Sequence, residues 1–183
     1  IQHMVANPAE PFALLQSIEK RCLQHATGLP MQVEAEDVWT GVGFRLGRHR
    51  LVAPLAEVVE ILEYPTVTKV PMTKPWVRGL ANVRGNLLPI LDLNGFLYEA
   101  STHLTPQCRV LATNYKGVFT GVLVEEVLGL RHFRDEEKTS VLPSLDEGMR
   151  PFMKRAFWRD GEYWGVFSLH RLVETPAFLQ VAI

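Results

Sequence analysis

The strongest constraint on the fold lies between Gly41 and Pro176, where apolar stretches are short, rich in β-branched residues and closed off by Gly, Pro, Asn or Asp. That texture belongs to all-β barrels and sandwiches. One unit comes three times, loosely: "FRLGRHRLVAPLAEVVEIL" (44–62), "VLATNYKGVFTGVLVEEVLGL" (110–130) and "AFWRDGEYWGVFSLHRLVE" (156–174). Each gives a strand, a polar turn, an apolar strand and a segment ending in valine and glutamate. The turns Leu46-Gly47-Arg48-His49, Asn114-Tyr115-Lys116-Gly117 and Arg159-Asp160-Gly161-Glu162 carry Gly or Asn, which accept the positive φ that hairpin turns need. The chain lacks long helices alternating with strands, so these hairpins predict two small β-barrels rather than one parallel α/β sheet.

Other segments depart from the strand texture. Residues 11–27, "PFALLQSIEKRCLQHAT", put Phe12, Leu15, Ile18, Cys22 and Ala26 near one face at helical spacing. Pro11 suits the opening turn, and Gly28 and Pro30 stop the helix. We divide the chain accordingly into an N-terminal helix with an acidic linker (1–36), the helix expected to pack on the barrel surface, and a barrel region (37–183). "DLNGFLYEA" (92–100) and "LHRLVE" (169–174) read as short helices, and 135–151 as a polar loop. Pro65, Pro71 and Pro75 keep their stretch out of central strands and turn the chain through a corner.

A chain of 183 residues that is 47% hydrophobic can bury a core without metals or disulfides. Its 19 basic and 20 acidic residues nearly cancel, so partner choice must be local. No apolar run approaches the ~18 residues that would span a bilayer, and the N-terminus lacks the pattern of a secretory signal. A soluble, cytoplasmic protein is expected, with no membrane insertion. Cys22 and Cys108 stand in no metal-ligand or redox spacing, and the six histidines are scattered. No nucleophile elbow or phosphate loop is present. The sequence therefore predicts no metal, no cofactor, no small-molecule substrate and no catalysis. Glu125 and Glu126, as adjacent strand residues, are expected to point to opposite faces, and Glu57 and Glu60 to be solvated. Arg45, Arg48, His49 and Arg50 form a basic cluster, which makes a small nucleic-acid-binding barrel the alternative function. Glutamates follow closely, however, and no aromatic alternates with the arginines.

The segment "GLANVRGNLLPILDL" (79–93) sets Asn82 and Arg84 between glycines ahead of a core strand. Glycine on either side lets the backbone turn or pack closely, leaving Arg84 to project from a rigid strand end. The stretch Leu46 to Leu93 resembles the CheW family, the coupling proteins that join chemoreceptors to the CheA histidine kinase. It supplies the family's order of a V-x-E-I strand (Val58 to Ile61), a V-T-x-[VI] strand (Val67 to Val70) and the run from Arg78 to Leu93 containing N-x-R-G. The resemblance continues, more weakly, through the hairpins at 110–130 and 156–174. The N-terminal helix and "WTGVGFRLG" are similar to the branch that serves type IV pilus twitching motility.

The resemblance implies two SH3-like five-stranded β-barrels sharing an apolar centre, without enzymatic activity. It also implies two docking surfaces: one for the hairpin tip of a methyl-accepting chemoreceptor, one for the regulatory domain of a CheA-type kinase. Receptor contact then falls to Arg84, with Val58, Glu60, Gly79, Asn82 and Gly85 around it. A guanidinium offers a planar fork of donors for carboxylates or carbonyls. Kinase contact is expected of exposed apolar residues of the first barrel, with Leu55, Val67 and Leu87 the candidates. Leu62, Glu63 and the basic Arg48 to Arg50 depart from the flagellar pattern and bear on which receptor is recognised.

Overall fold

The structure, a computed structural model, describes residues 38–142 and 146–182. The helix expected over 11–27 lies outside them. The chain opens with the antiparallel hairpin of β1 (Val38–Leu46) and β2 (His49–Pro54), followed by a 3-10 turn at Leu55–Glu57. Six strands come next: β3 (Glu60–Glu63), β4 (Val67–Thr68), β5 (Val77–Val83), β6 (Asn86–Asp92), β7 (Arg109–Tyr115) and β8 (Val118–Val124). Four more end the strand region: β9 (Glu126–Arg134), β10 (Lys138–Thr139), β11 (Met153–Arg159) and β12 (Glu162–Phe167). Short helices are α1 (Leu93–Tyr98), α2 (Leu169–Glu174) and α3 (Pro176–Leu179), the first two where the sequence predicts them. The stretch 135–151 is not wholly loop, since it carries β10 and 3-10 turns.

Two sheets result, ordered β10-β11-β12-β2-β1-β9 and β3-β7-β8-β6-β5-β4. Each has five strands of four or more residues plus a two-residue strand at one edge, matching the five-stranded expectation. Both are built alike, from two hairpins joined along a parallel seam. In the first sheet β2 runs beside β12, with Leu51 opposite Gly165 and Val52 opposite Val166. In the second, β6 runs beside β8, with Ile90 opposite Gly121 and Leu91 opposite Val122. The seams require glycine for space. A Cβ on Gly121 would lie 2.7 Å from Val110 Cγ1 and 2.8 Å from Ile90 Cδ1, and one on Gly165 would overlap the Met153 methyl.

Alternation along the seam strands feeds two cores at once. Leu51, Leu91 and Val122 enter a shared centre between the sheets, with Phe44, Phe167, Leu172 and Phe178. Their neighbours point the other way, Val52 beside Phe133, Phe157 and Trp164 inside the first sheet, Ile90 and Leu123 beside Leu88 and Val110 inside the second. Strands buried on both faces read as continuous apolar runs, which is how these appear in the sequence.

Two of the three repeats cross between sheets: unit 44–62 begins in the first sheet and ends in β3 of the second, and 110–130 begins in the second and ends in β9 of the first, whereas 156–174 keeps both its strands in the first. Residues 79–93 are not the approach to one strand. They form most of a fourth hairpin, β5–β6.

Glu57, expected to be solvated, is buried at the first crossover, with only 5% of its surface exposed. Its carboxylate accepts from Lys154 Nζ at 2.6 Å, Ser168 Oγ at 3.0 Å and the His170 N–H at 3.1 Å. Burial alone would raise its pKa, but these donors, Lys154 foremost, outweigh it and hold the carboxyl below its ordinary value. Ser168 in turn caps α2, accepting from the Arg171 N–H. The crossover is thereby tied to the C-terminal strands of the first sheet.

Candidate partner-docking site

The β5–β6 hairpin closes at Val83 opposite Asn86, leaving Arg84 and Gly85 as a two-residue turn. Both have positive φ, 51° and 84°, as a type I′ turn requires. Asn82 Oδ1 accepts from the Gly85 N–H at 2.9 Å, bracing the turn. Arg84 therefore sits in the turn itself, not at a strand end. The left-handed conformation disfavours an arginine by ~1 kcal/mol, and Arg-Gly lacks the Asn-Gly or Asp-Gly signal that marks such turns in sequence.

Arg84 is held out in solvent with its side chain 78% exposed. Nη2 donates to Glu60 Oε1 at 2.6 Å, and Glu60 is only 25% exposed. Glu60 lies on β3, at the far edge of a sheet in which β5 is four places away, so the pair spans the mouth of a curled sheet. A pair this exposed contributes ~0–1 kcal/mol to stability. Its effect is to aim the guanidinium while leaving most of its donors unused.

The other candidates divide by burial. Gly79 is buried at a bulge, with φ 139°, and a Cβ there would collide with the Thr68 carbonyl. Its part is to let β4 run close beside β5, its antiparallel neighbour. Val58 is half-buried and packs on the shared centre. Leu55 is exposed in the crossover turn, Val67 is half-buried against the interior of the second sheet, and Leu87 is 69% exposed. None of the three belongs to the sheet of β1 and β2, because the chain changes sheets at Leu55–Glu57. Leu87 stands opposite Asn82 across β5–β6, so a kinase-facing candidate shares its hairpin with the receptor-facing ones.

The same bulge that houses Gly79 releases Arg78 from the ladder, which donates to the fully buried Asp92 from Nε at 3.0 Å and Nη2 at 2.7 Å. Asp92 also accepts from Thr102 N–H at 2.8 Å, Thr102 Oγ1 at 2.6 Å and the Gly95 N–H at 3.2 Å, capping α1. Arg78 further donates to the Thr102 carbonyl. The sequence reading assigns no role to this pair; its one signal is that an arginine and an aspartate stand near the two ends of the 78–93 run.

The basic cluster at the first hairpin is neutralised. Arg45 reaches Glu125 at 2.5 Å and Glu126 at 3.1 Å, and Arg50 meets Glu162 at 2.7 Å. Arg48 and His49 lie 3.9 and 3.3 Å from Asp146. Glu125 and Glu126 thus converge on one guanidinium rather than diverging, because Glu125 sits in the bend between β8 and β9, outside either strand. A nucleic acid needs a continuous positive track, and here carboxylates interrupt it. Among the described residues no group of three His, Cys, Asp or Glu is placed to hold a metal, and no helix is long and apolar enough to cross a membrane.

A CheW-like domain model matches residues 40–177. The chain belongs to the CheW-like family. It is 46% identical to Protein PilI of Pseudomonas aeruginosa over 173 residues, covering 94% of this chain and 97% of that one. Protein FrzA of Myxococcus xanthus is 35% identical over 48% of the chain and 55% of its own length. The chemotaxis protein CheW of Helicobacter pylori is 34% identical over 52% of the chain and 58% of its own. The crystal structure of the scaffolding protein TtCheW from Thermoanaerobacter tengcongensis superposes with a TM-score of 0.65 at 20% identity, covering 76% of this chain and 94% of that one. The CheW-like fold, two SH3-like barrels about a common centre, is thus shared by a distant sequence.

Proposed function

We propose that this CheW-like chain is a non-enzymatic cytoplasmic adaptor coupling a methyl-accepting chemoreceptor to a CheA-type histidine kinase, in a pathway of the type IV pilus kind. The near-full-length similarity to PilI supports the pilus branch. One observation carries the docking mechanism: the exposed Arg84 guanidinium, mounted on a two-residue turn and steadied by Glu60 at 2.6 Å. In this reading the fork of donors takes carboxylates or carbonyls at the receptor's hairpin tip. Asn82 and Gly85 hold the turn in shape, Gly79 seats the hairpin, and Val58 contributes apolar contact beside Glu60. Leu55, Leu87 and the half-buried Val67 form the kinase-facing set, meeting the regulatory domain. In this reading neither docking surface draws on residues 1–36. Such contacts are small and individually weak, so arraying many copies supplies strength. The adaptor acts by geometry, placing the kinase relative to the receptor.

The test is capture of a chemoreceptor cytoplasmic fragment and, separately, of the kinase regulatory domain by purified protein. Arg84→Glu is expected to abolish receptor capture and leave kinase capture intact, with stability changed by about 0.5 kcal/mol or less. Undiminished receptor capture by this variant would overturn the site.

A further inference from the structure

A groove of about 490 Å³ outside the Arg84 hairpin is lined by Lys138, Thr139, Ser140, Leu142, Lys154 and Arg155. Three of these are cations, two carry hydroxyls, one is apolar, and none is a carboxylate. In a chain whose charges nearly cancel, that is local segregation. Lys138 and Lys154 each keep one carboxylate, Asp135 at 2.5 Å and Glu57 at 2.6 Å. Arg155 has none among the described residues, whereas Arg45, Arg50 and Arg159 of the same sheet are each held by one or two. A bulge in β11 explains the crowding. Met153 pairs with Phe167 and Arg155 with the next residue back, Val166, so Lys154 is the extra residue and both cations reach the same side.

We infer that this groove is a docking site for a short, extended acidic segment of a partner protein, with carboxylates on Arg155 and Lys138 and one apolar side chain against Leu142. The open side of β10, an edge strand two residues long, leaves room for an extended backbone. Thr139 Oγ1 accepts from the Val141 N–H at 3.1 Å, so its own proton is free to donate to a carboxylate. Val141 and Leu142 are both exposed and give the apolar rim. The charge pattern sets the length. A second groove, sharing Lys138 and Thr139 with the first, is lined also by Glu136 and by Glu137, the latter paired with Arg159, so the excess of cations is confined to the first groove. A nucleic-acid backbone or an anionic bilayer would meet those glutamates, and a short peptide does not.

The inference is independent of the receptor and kinase reading, and its test uses neither protein. Fluorescence anisotropy of the full chain is measured with a labelled peptide in which Glu and Asp flank a single Leu, and with its Gln/Asn counterpart. Binding of the acidic peptide is expected, weakened by salt, with the amide peptide at least about tenfold weaker. Arg155→Glu should weaken the acidic peptide by a similar factor and Arg155→Lys by much less, both variants melting like the parent. Leu142→Ala should weaken the Leu peptide but not one with Ala in its place. No binding, equal binding of acidic and amide peptides, or an unaffected Arg155→Glu overturns the proposal. So does displacement of the peptide by duplex DNA or phosphatidylserine vesicles more readily than by unlabelled peptide.

Discussion

Arg84 occupies a backbone conformation that its side chain does nothing to favour. With φ at 51°, the position suits Asn, Asp or Gly, and the equivalent turn between β11 and β12 uses Asp160 in that place. A residue that breaks the local rule without stabilising the fold is where function is to be looked for. Arg84→Asn separates the two demands. The variant should be as stable as the parent or more so, by up to ~1 kcal/mol, in urea unfolding, while losing receptor capture. If capture persists, the guanidinium is not what the receptor needs. At this scale the sequence singles out a residue without showing how it is held. The N-x-R-G run singles out Arg84, but a turn whose first residue is arginine looks like uninterrupted strand.

At the scale of elements, two polar networks fix the pieces that the hairpins leave loose. Arg78 and Asp92 clamp the bulge of β5 to the start of α1, and Asp92 has no access to solvent. Arg78→Ala leaves that carboxylate uncompensated and is expected to destabilise the fold by ~3–5 kcal/mol, read as a large fall in the thermal midpoint. Glu57 behaves differently with pH. Its folded pKa lies below its unfolded one, so its contribution is complete above the unfolded value of about 4.3 and is lost as pH falls through the lowered folded value. The parent should therefore lose stability below pH ~4.3 more steeply than Glu57→Gln, while at neutral pH the variant is weaker by ~1–3 kcal/mol. Parallel acid unfolding curves for the two would refute the assignment. Local pattern could not reveal this role. Glu57 has the spacing of an exposed strand residue, and its partners Lys154, Ser168 and His170 lie about a hundred positions further along the chain.

At the scale of the molecule, fold class and strand content were legible because turn chemistry and apolar runs are local. Which hairpin pairs with which was not, since both sheets use the same parts and the second partner of β2, β12, comes from the end of the sequence. Both proposed docking surfaces draw on residues within 37–183. Removal of residues 1–36 should then preserve co-purification with the CheA-type kinase; its loss would make the N-terminal element a docking surface in its own right.

The seam between Leu51–Val52 and Gly165–Val166 has a further consequence for biosynthesis. During translation, every strand of the second sheet has left the ribosome once Val124 emerges, and that lobe can close while β1 and β2 still lack β9 and β12. The earliest hairpin made is thus among the last to be completed. Until the final stretch arrives, the apolar flanks of β1 and β2 stay open to water, the interval in which a nascent chain of this kind is most prone to aggregate or to recruit a chaperone.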